Sequence, residues 1–149
     1  MRYEIKFLLS ILMSCLVTAS FGKPQVGKKP VVMHTYSFYK YDASLRSTHK
    51  LSINDTGRFL GLKVNNYSII HLLALAAGGG RMIPKSNIIV KSAKLKTLDR
   101  KMCFQMALHK IDGQLLYDLM LKILQIEFQE FAVTVENKGN QKFLVILDK

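Results

Sequence analysis

The chain of 149 residues carries 22 Lys and Arg against 10 Asp and Glu, a formal net charge of +12, with 49% hydrophobic residues, two Cys and no Trp. That length supports one domain with a tail, and the apolar content excludes a disordered chain, which buries too little surface to offset its ordering entropy. Two cysteines cannot build a disulfide framework, and no collagen period, heptad array or tandem repeat is present.

The first segment carries Arg2 and Lys6, then the uncharged run Phe7–Val17, then the small residues Ala19, Ser20 and Gly22. A basic start, an apolar stretch and a small-residue exit read as a secretory signal peptide over residues 1–22. The apolar run is too short to cross ~30 Å of hydrocarbon as a helix. Val17-Thr18-Ala19 fits ordinary cleavage. Leu12-Met13-Ser14-Cys15 is similar to a bacterial lipoprotein box, which makes Cys15 the candidate for lipidation. Met13 is atypical in such a box, and ordinary cleavage is the favoured reading. After removal of residues 1–22 the net charge is +11 and one Cys remains, Cys103. Flanked by Met102 and Phe104, it is expected to be a small buried hydrophobe.

Residues 23–30, basic and with two prolines, read as a linker. Val31 to Tyr41 is rich in β-branched and aromatic residues and predicts a strand. Residues 42–57 are polar, with a turn cluster at Asn54-Asp55-Thr56-Gly57 and a short alternating stretch around Leu51 and Ile53. Leu60 to Val64 alternates as a strand. Asn65-Asn66 reads as a turn or cap, and Asn66 is better explained as a cap than as a glycosylation acceptor.

Ile69, Leu72, Leu73 and Ala76 have the spacing of an amphipathic helix over Ser68–Ala77. Gly78-Gly79-Gly80 supplies its exit. Arg81 to Val90, with Pro84 inside it, reads as one interrupted strand, and Lys91 to Lys101 as a basic connector. Met102 to Leu108 alternates as a half-buried strand. Asp112 is an expected N-cap, and Leu115 to Ile126 a helix with Leu115, Leu116, Leu119, Met120, Ile123 and Leu124 on one broad stripe. Phe131–Val135, Asn137–Asn140 and Phe143–Leu147 form a closing hairpin. The expected class is α+β: a small two-layer domain, β-α-β-β-α-β-β, with two helices on about five strands and an extra N-terminal strand segment. Its divisions are a signal peptide at 1–22, a linker and strand-like extension at 23–57, and the α+β domain at 58–149.

From Leu60 to Ala77, from Met106 to Leu124 and from Val133 to Ile146 this order resembles the N-terminal periplasmic domain of secretins, and the short N-terminal signalling domain of TonB-dependent receptors. The resemblance spans residues 58–147 and rests on hydrophobic spacing and turns. Residues 31–53 add strand-like sequence that the family pattern lacks. Nothing after the domain could supply an outer-membrane barrel. The resemblance therefore implies a free-standing accessory subunit of a bacterial type IV pilus or secretion machine, periplasmic or associated with the outer membrane.

Chemistry is sparse in the residues themselves. His34, His49, His71 and His109 have no zinc-site spacing. No nucleophile elbow or acid pair stands out. The glycines at 78–80 follow a helix, whereas a phosphate loop precedes one. Neither enzymatic activity, nor a cofactor, metal or small-molecule substrate is expected. Arg81 to Lys110 is densely basic but holds a single aromatic residue, Phe104, so nucleic acid is not expected either. A binding module remains, one that takes a partner strand on a sheet edge and adds basic contacts. The candidate partner-binding residues are Tyr36, Phe38, Tyr39, Lys91, Lys94 and Lys96. The other reading is a secreted effector or toxin-like binding protein acting outside the cell.

Overall fold

The computed structural model describes residues 35–149. The expected signal peptide with Cys15, the expected linker and residues 31–34 of the expected strand lie outside them. Seven strands form two sheets. The first sheet is fully antiparallel, in the order β1-β5-β3-β2, from β1 (Thr35–Lys40), β2 (Thr48–Ile53), β3 (Phe59–Ser68) and β5 (Lys101–Ile111). The second has the order β4-β7-β6, from β4 (Ile88–Lys91), β6 (Phe131–Lys138) and β7 (Gln141–Asp148). There β7 is central, parallel to β4 and antiparallel to β6. The helices are α1 (Ile69–Ala77), a single turn α2 (Leu95–Leu98) and α3 (Gly113–Glu127). This is the expected small two-layer α+β domain, and from Phe59 onward its strands and two long helices follow the expected order.

One continuous core joins the parts. It takes Leu62, Val64, Phe104 and Met106 from the first sheet, Phe131, Leu144 and Ile146 from the second, and the buried faces of α1 and α3. Alternation explains the strand contributions: Leu62 and Val64 point inward while Lys63 between them is exposed. Gly61 is required by close approach, because a Cβ there would lie 2.8 Å from the Met106 carbonyl oxygen on β5.

Helix α1 departs from the amphipathic expectation. Besides the anticipated stripe, Ala74, Leu75 and Ala77 are buried as well, and only His71 is exposed. A helix apolar on all sides has to be enclosed. Its N-cap is Ser68, whose Oγ accepts the His71 N–H at 3.3 Å. Asn66 is therefore not the cap. It sits in a bulge of β3, at φ 54°, where the pairing with β5 shifts register between Val64 and Tyr67. Buried there, its side chain accepts the Asp42 N–H at 3.0 Å and donates to the carbonyls of Asp42 and Leu45, both at 2.6 Å. One asparagine thus pins the loop between β1 and β2 to the sheet. Cys103 is buried as expected, its Sγ 3.5 Å from Asn66 Oδ1.

Three further expectations are corrected. The stretch 81–90 is not an interrupted strand: a 3-10 turn at Lys85–Asn87 precedes the four-residue β4. The basic connector contains α2. In α3, Leu115 is on the solvent side at 55% exposure, because Leu116, Met120, Ile123 and Leu124 already define the inward face. Asp112 occupies the N-cap position with extended backbone, but its side chain makes no capping hydrogen bond.

The exit of α1 couples it to α3. Gly80 has φ 91°, and a Cβ there would come 2.5 Å from the Tyr117 ring. Burial raises the Tyr117 phenol above its ordinary pKa. Gly80→Ala should combine backbone strain with overpacking and lower the unfolding free energy by about 1–3 kcal/mol, measured by denaturant titration. A variant as stable as the parent would contradict this packing.

Candidate functional site

The regular outer edge of the first sheet is β1. It pairs with β5 over Thr35↔Ala107 to Lys40↔Met102 with no register break, and its other side has no strand partner among the described residues. The sequence favours this geometry: Tyr-Ser-Phe-Tyr places large side chains alternately on a pleated surface. Phe38 turns inward, half-buried, with its ring 5.0 Å from Phe104 and 5.8 Å from Phe128. It anchors the strand more than it presents itself. Tyr36 and Tyr39 are 45% and 54% exposed, and the Tyr39 hydroxyl accepts a hydrogen bond from Ser37 at 2.9 Å.

Where β1 ends, a groove of about 520 Å³ opens between it, the start of β5 and the C-terminal end of α3. Phe38, Met102 and Phe128 line its apolar part, and the exposed Tyr39 and Tyr41 also border it. Lys40, Arg100 and Lys101 bring three cations to it, against the one carboxylate of Glu127. Lys101 Nζ lies 5.9 Å from the centre of the Tyr41 ring, a cation–π contact. Among the described residues the one ion pair is Glu136–Lys138 at 3.0 Å, so no salt bridge neutralises this basic rim.

Lys91, Lys94 and Lys96 belong to the other sheet's surroundings: Lys91 ends β4, Lys94 precedes α2 and Lys96 lies in it. All three are exposed. The structure thus places the six anticipated residues on two sheets, three aromatics on β1 and three lysines beside β4. The Lys94 loop is held by Asp148, which accepts the Ala93 N–H at 2.8 Å and the Ser92 hydroxyl. Lys94 Nζ also lies 5.9 Å from the centre of the Phe131 ring. Tyr41, Arg100, Lys101 and Phe128 were not anticipated as site residues. A usable signal existed for two of them: the aromatic run continues to Tyr41, and Lys101 begins the strand that pairs with Lys40's neighbourhood.

A second cleft, of about 590 Å³, lies between the start of α1, Pro84 and β4. Ile70, Ile88 and Val90 line it, with Ser68, His71 and Asp99. Ser68 Oγ is 2.7 Å from His71 Nδ1. This pair is the helix cap already described: the same oxygen receives the His71 backbone N–H, and Asp99 makes no hydrogen bond or ion pair with the imidazole. A nucleophile–base–orienter relay is thus not assembled. Among the described residues, no three His, Cys, Asp or Glu gather as a metal site. No described helix is long and apolar enough to cross a membrane.

Comparison with known proteins found no matching family model, no matching curated protein and no matching solved structure.

The Asp148 anchor is testable by titration. The Ser92 hydroxyl first and the Ala93 N–H second hold its carboxyl below the ordinary aspartate value; desolvation opposes them, and the Lys94 charge adds the smallest lowering. A depressed carboxylate holds its loop fully above the ordinary range and releases it as pH falls through the lowered value. In an amide NMR titration, Ala93 should shift with a midpoint below the ordinary aspartate value, and Asp148→Asn should abolish that transition. A midpoint at or above the ordinary value would contradict the anchoring.

Proposed function

We propose that this chain is a non-enzymatic periplasmic accessory subunit of a bacterial envelope secretion or type IV pilus machine. It is exported by its leader and works in the periplasm or at the outer membrane, held there by a lipid only where the leader is cut before Cys15 instead of after Ala19. It acts by binding a secretin-like partner through sheet edges and basic surface.

The observation that carries this reading is the unbroken β1 edge with its exposed tyrosines. An open edge offers backbone N–H and C=O groups to an extended segment of another chain, and neighbouring side chains select which segment. Exposed strand edges otherwise invite aggregation and are commonly blunted. Keeping one regular and aromatic fits use better than neglect. Tyr and Arg are the residue types that dominate protein interfaces, because they combine large contact area with a polar handle. The surplus of cations favours an acidic partner surface and speeds encounter with it. The strand–helix order from Phe59 to Asp148 is the small two-layer α+β arrangement that this reading requires.

The test is affinity capture with the tagged full-length chain from detergent-solubilised envelopes of its own bacterium, read by mass spectrometry. Enrichment of an outer-membrane secretin or of a subunit of its pilus or secretion complex is expected. Recovery of no such component, with the protein free in the medium, would contradict the reading.

A further inference from the structure

The four sheet edges are not equivalent. On β2, His49 and Lys50 stand along the strand, and a register shift between Ser52 and Ile53 breaks its regularity. Charge and bulge are the usual devices that stop an edge from pairing. On β6, the strand ends in the exposed Glu136–Lys138 ion pair. β4 is only four residues long. β1 has six residues, an uninterrupted register and a single charge, Lys40, at its end. Of the four it alone combines at least six residues and an unbroken register with a single charge, β6 being longer and equally regular but carrying Glu136 and Lys138.

The groove adds specificity to that edge. Its apolar part is made of side chains that the core already holds: Met102 and Phe128 are 8% and 5% exposed. An incoming side chain would therefore meet a preformed surface, with little ordering cost. Beside it stand Lys40, Arg100 and Lys101, unpaired by any carboxylate among the described residues. An antiparallel edge strand leaves every other residue's N–H and C=O free. A segment added alongside β1 would point alternate side chains toward the face that holds Phe38, Lys40 and Met102, and the intervening ones toward the face of Lys101.

The geometry points to one occupant: an extended segment of the partner protein in which apolar residues alternate with Asp or Glu, added as a fifth strand outside β1. Its apolar side chain fills the space between Phe38, Tyr41 and Phe128, and its carboxylates meet Arg100 and Lys101. This deepens the proposed role and rests on it.

The probe is a fluorescein-labelled peptide of alternating valine and glutamate, titrated with the full-length protein by anisotropy, against the same peptide with lysine for glutamate. The glutamate peptide should bind and the lysine peptide should not. Raising salt from about 50 to 300 mM should weaken binding several-fold. The double variant Arg100→Glu, Lys101→Glu should weaken it at least tenfold. These side chains are exposed, so the variant should stay folded by circular dichroism. Tyr41→Ala should also weaken it, whereas Lys50→Glu should leave affinity within about twofold, since that exposed lysine lies on β2 at the opposite edge of the sheet. Equal binding of both peptides, or an undiminished double variant, overturns the proposal. Preferential retention of phosphatidylglycerol vesicles through Arg100 and Lys101, with no peptide bound, would overturn it in favour of a membrane contact. Envelope capture separates the two levels. If the wild-type chain recovers a secretion component and the double variant recovers it equally, the β1 groove is wrong while the role stands. If the peptide binds as described but neither chain recovers a component, the groove is right and the role is wrong.

Discussion

Everything in this domain follows from a nine-residue helix with one exposed side chain. Helix α1 reads Ile-Ile-His-Leu-Leu-Ala-Leu-Ala-Ala, and Ile69, Leu72, Leu73 and Leu75 are all fully buried. Each such side chain contributes about 1.5–3 kcal/mol on leaving water, so the helix is stable only when enclosed. Helix α3 and the inner faces of the strands provide the enclosure, in a single core. The small residues Ala74, Ala76 and Ala77 let neighbours approach closely. The cap at Ser68 and the glycine exit, with Gly78 as C-cap and Gly79 left-handed at φ 65°, fix where the helix starts and stops.

That arrangement decides where recognition can occur. The long helices spend their apolar faces on the core, and α1 has almost no outer face to offer. The sheets differ: each has two margins, and a margin always carries unpaired backbone groups unless something covers it. Three of the four margins are short, bulged or charged. The fourth, β1, comes from the segment in front of the strand–helix order that begins at Phe59 and is joined to the sheet through β5, the strand that also pairs with β3. The added segment therefore does not hang from the domain. It completes the first sheet, and Asn66 fastens the loop that follows it.

Much of this architecture was legible in the sequence because period is a local property. The 3.6-residue spacing of α1 and α3, the alternation along β5 and the Gly139-Asn140 turn, tighter by two residues than the sequence suggests, each report on their own neighbours in the chain. What was not legible is what depends on distant partners. That Ala74, Leu75 and Ala77 are as buried as the main stripe depends on a core shared by both sheets. That Asn66 is a bulge rather than a cap depends on its register against Met102 and Phe104 and on its bonds to Asp42 and Leu45. The same reason explains the site. Tyr36 and Tyr39 could be named from an aromatic run, but Phe38 is mostly an anchor. The groove is built from Tyr41, Lys101 and Phe128, residues far apart in sequence that meet only when β1 lies beside β5 under the end of α3.

The central claim is that β1 is a paired strand with one side open. Hydrogen exchange of the full-length protein, resolved by amide, tests it most directly. Alternate amides from Thr35 to Lys40 should be protected by β5, and those between them should exchange nearly as fast as an unstructured chain. Uniform protection along the strand would mean that its outer side is already occupied, and uniform fast exchange that it is not a strand of this sheet.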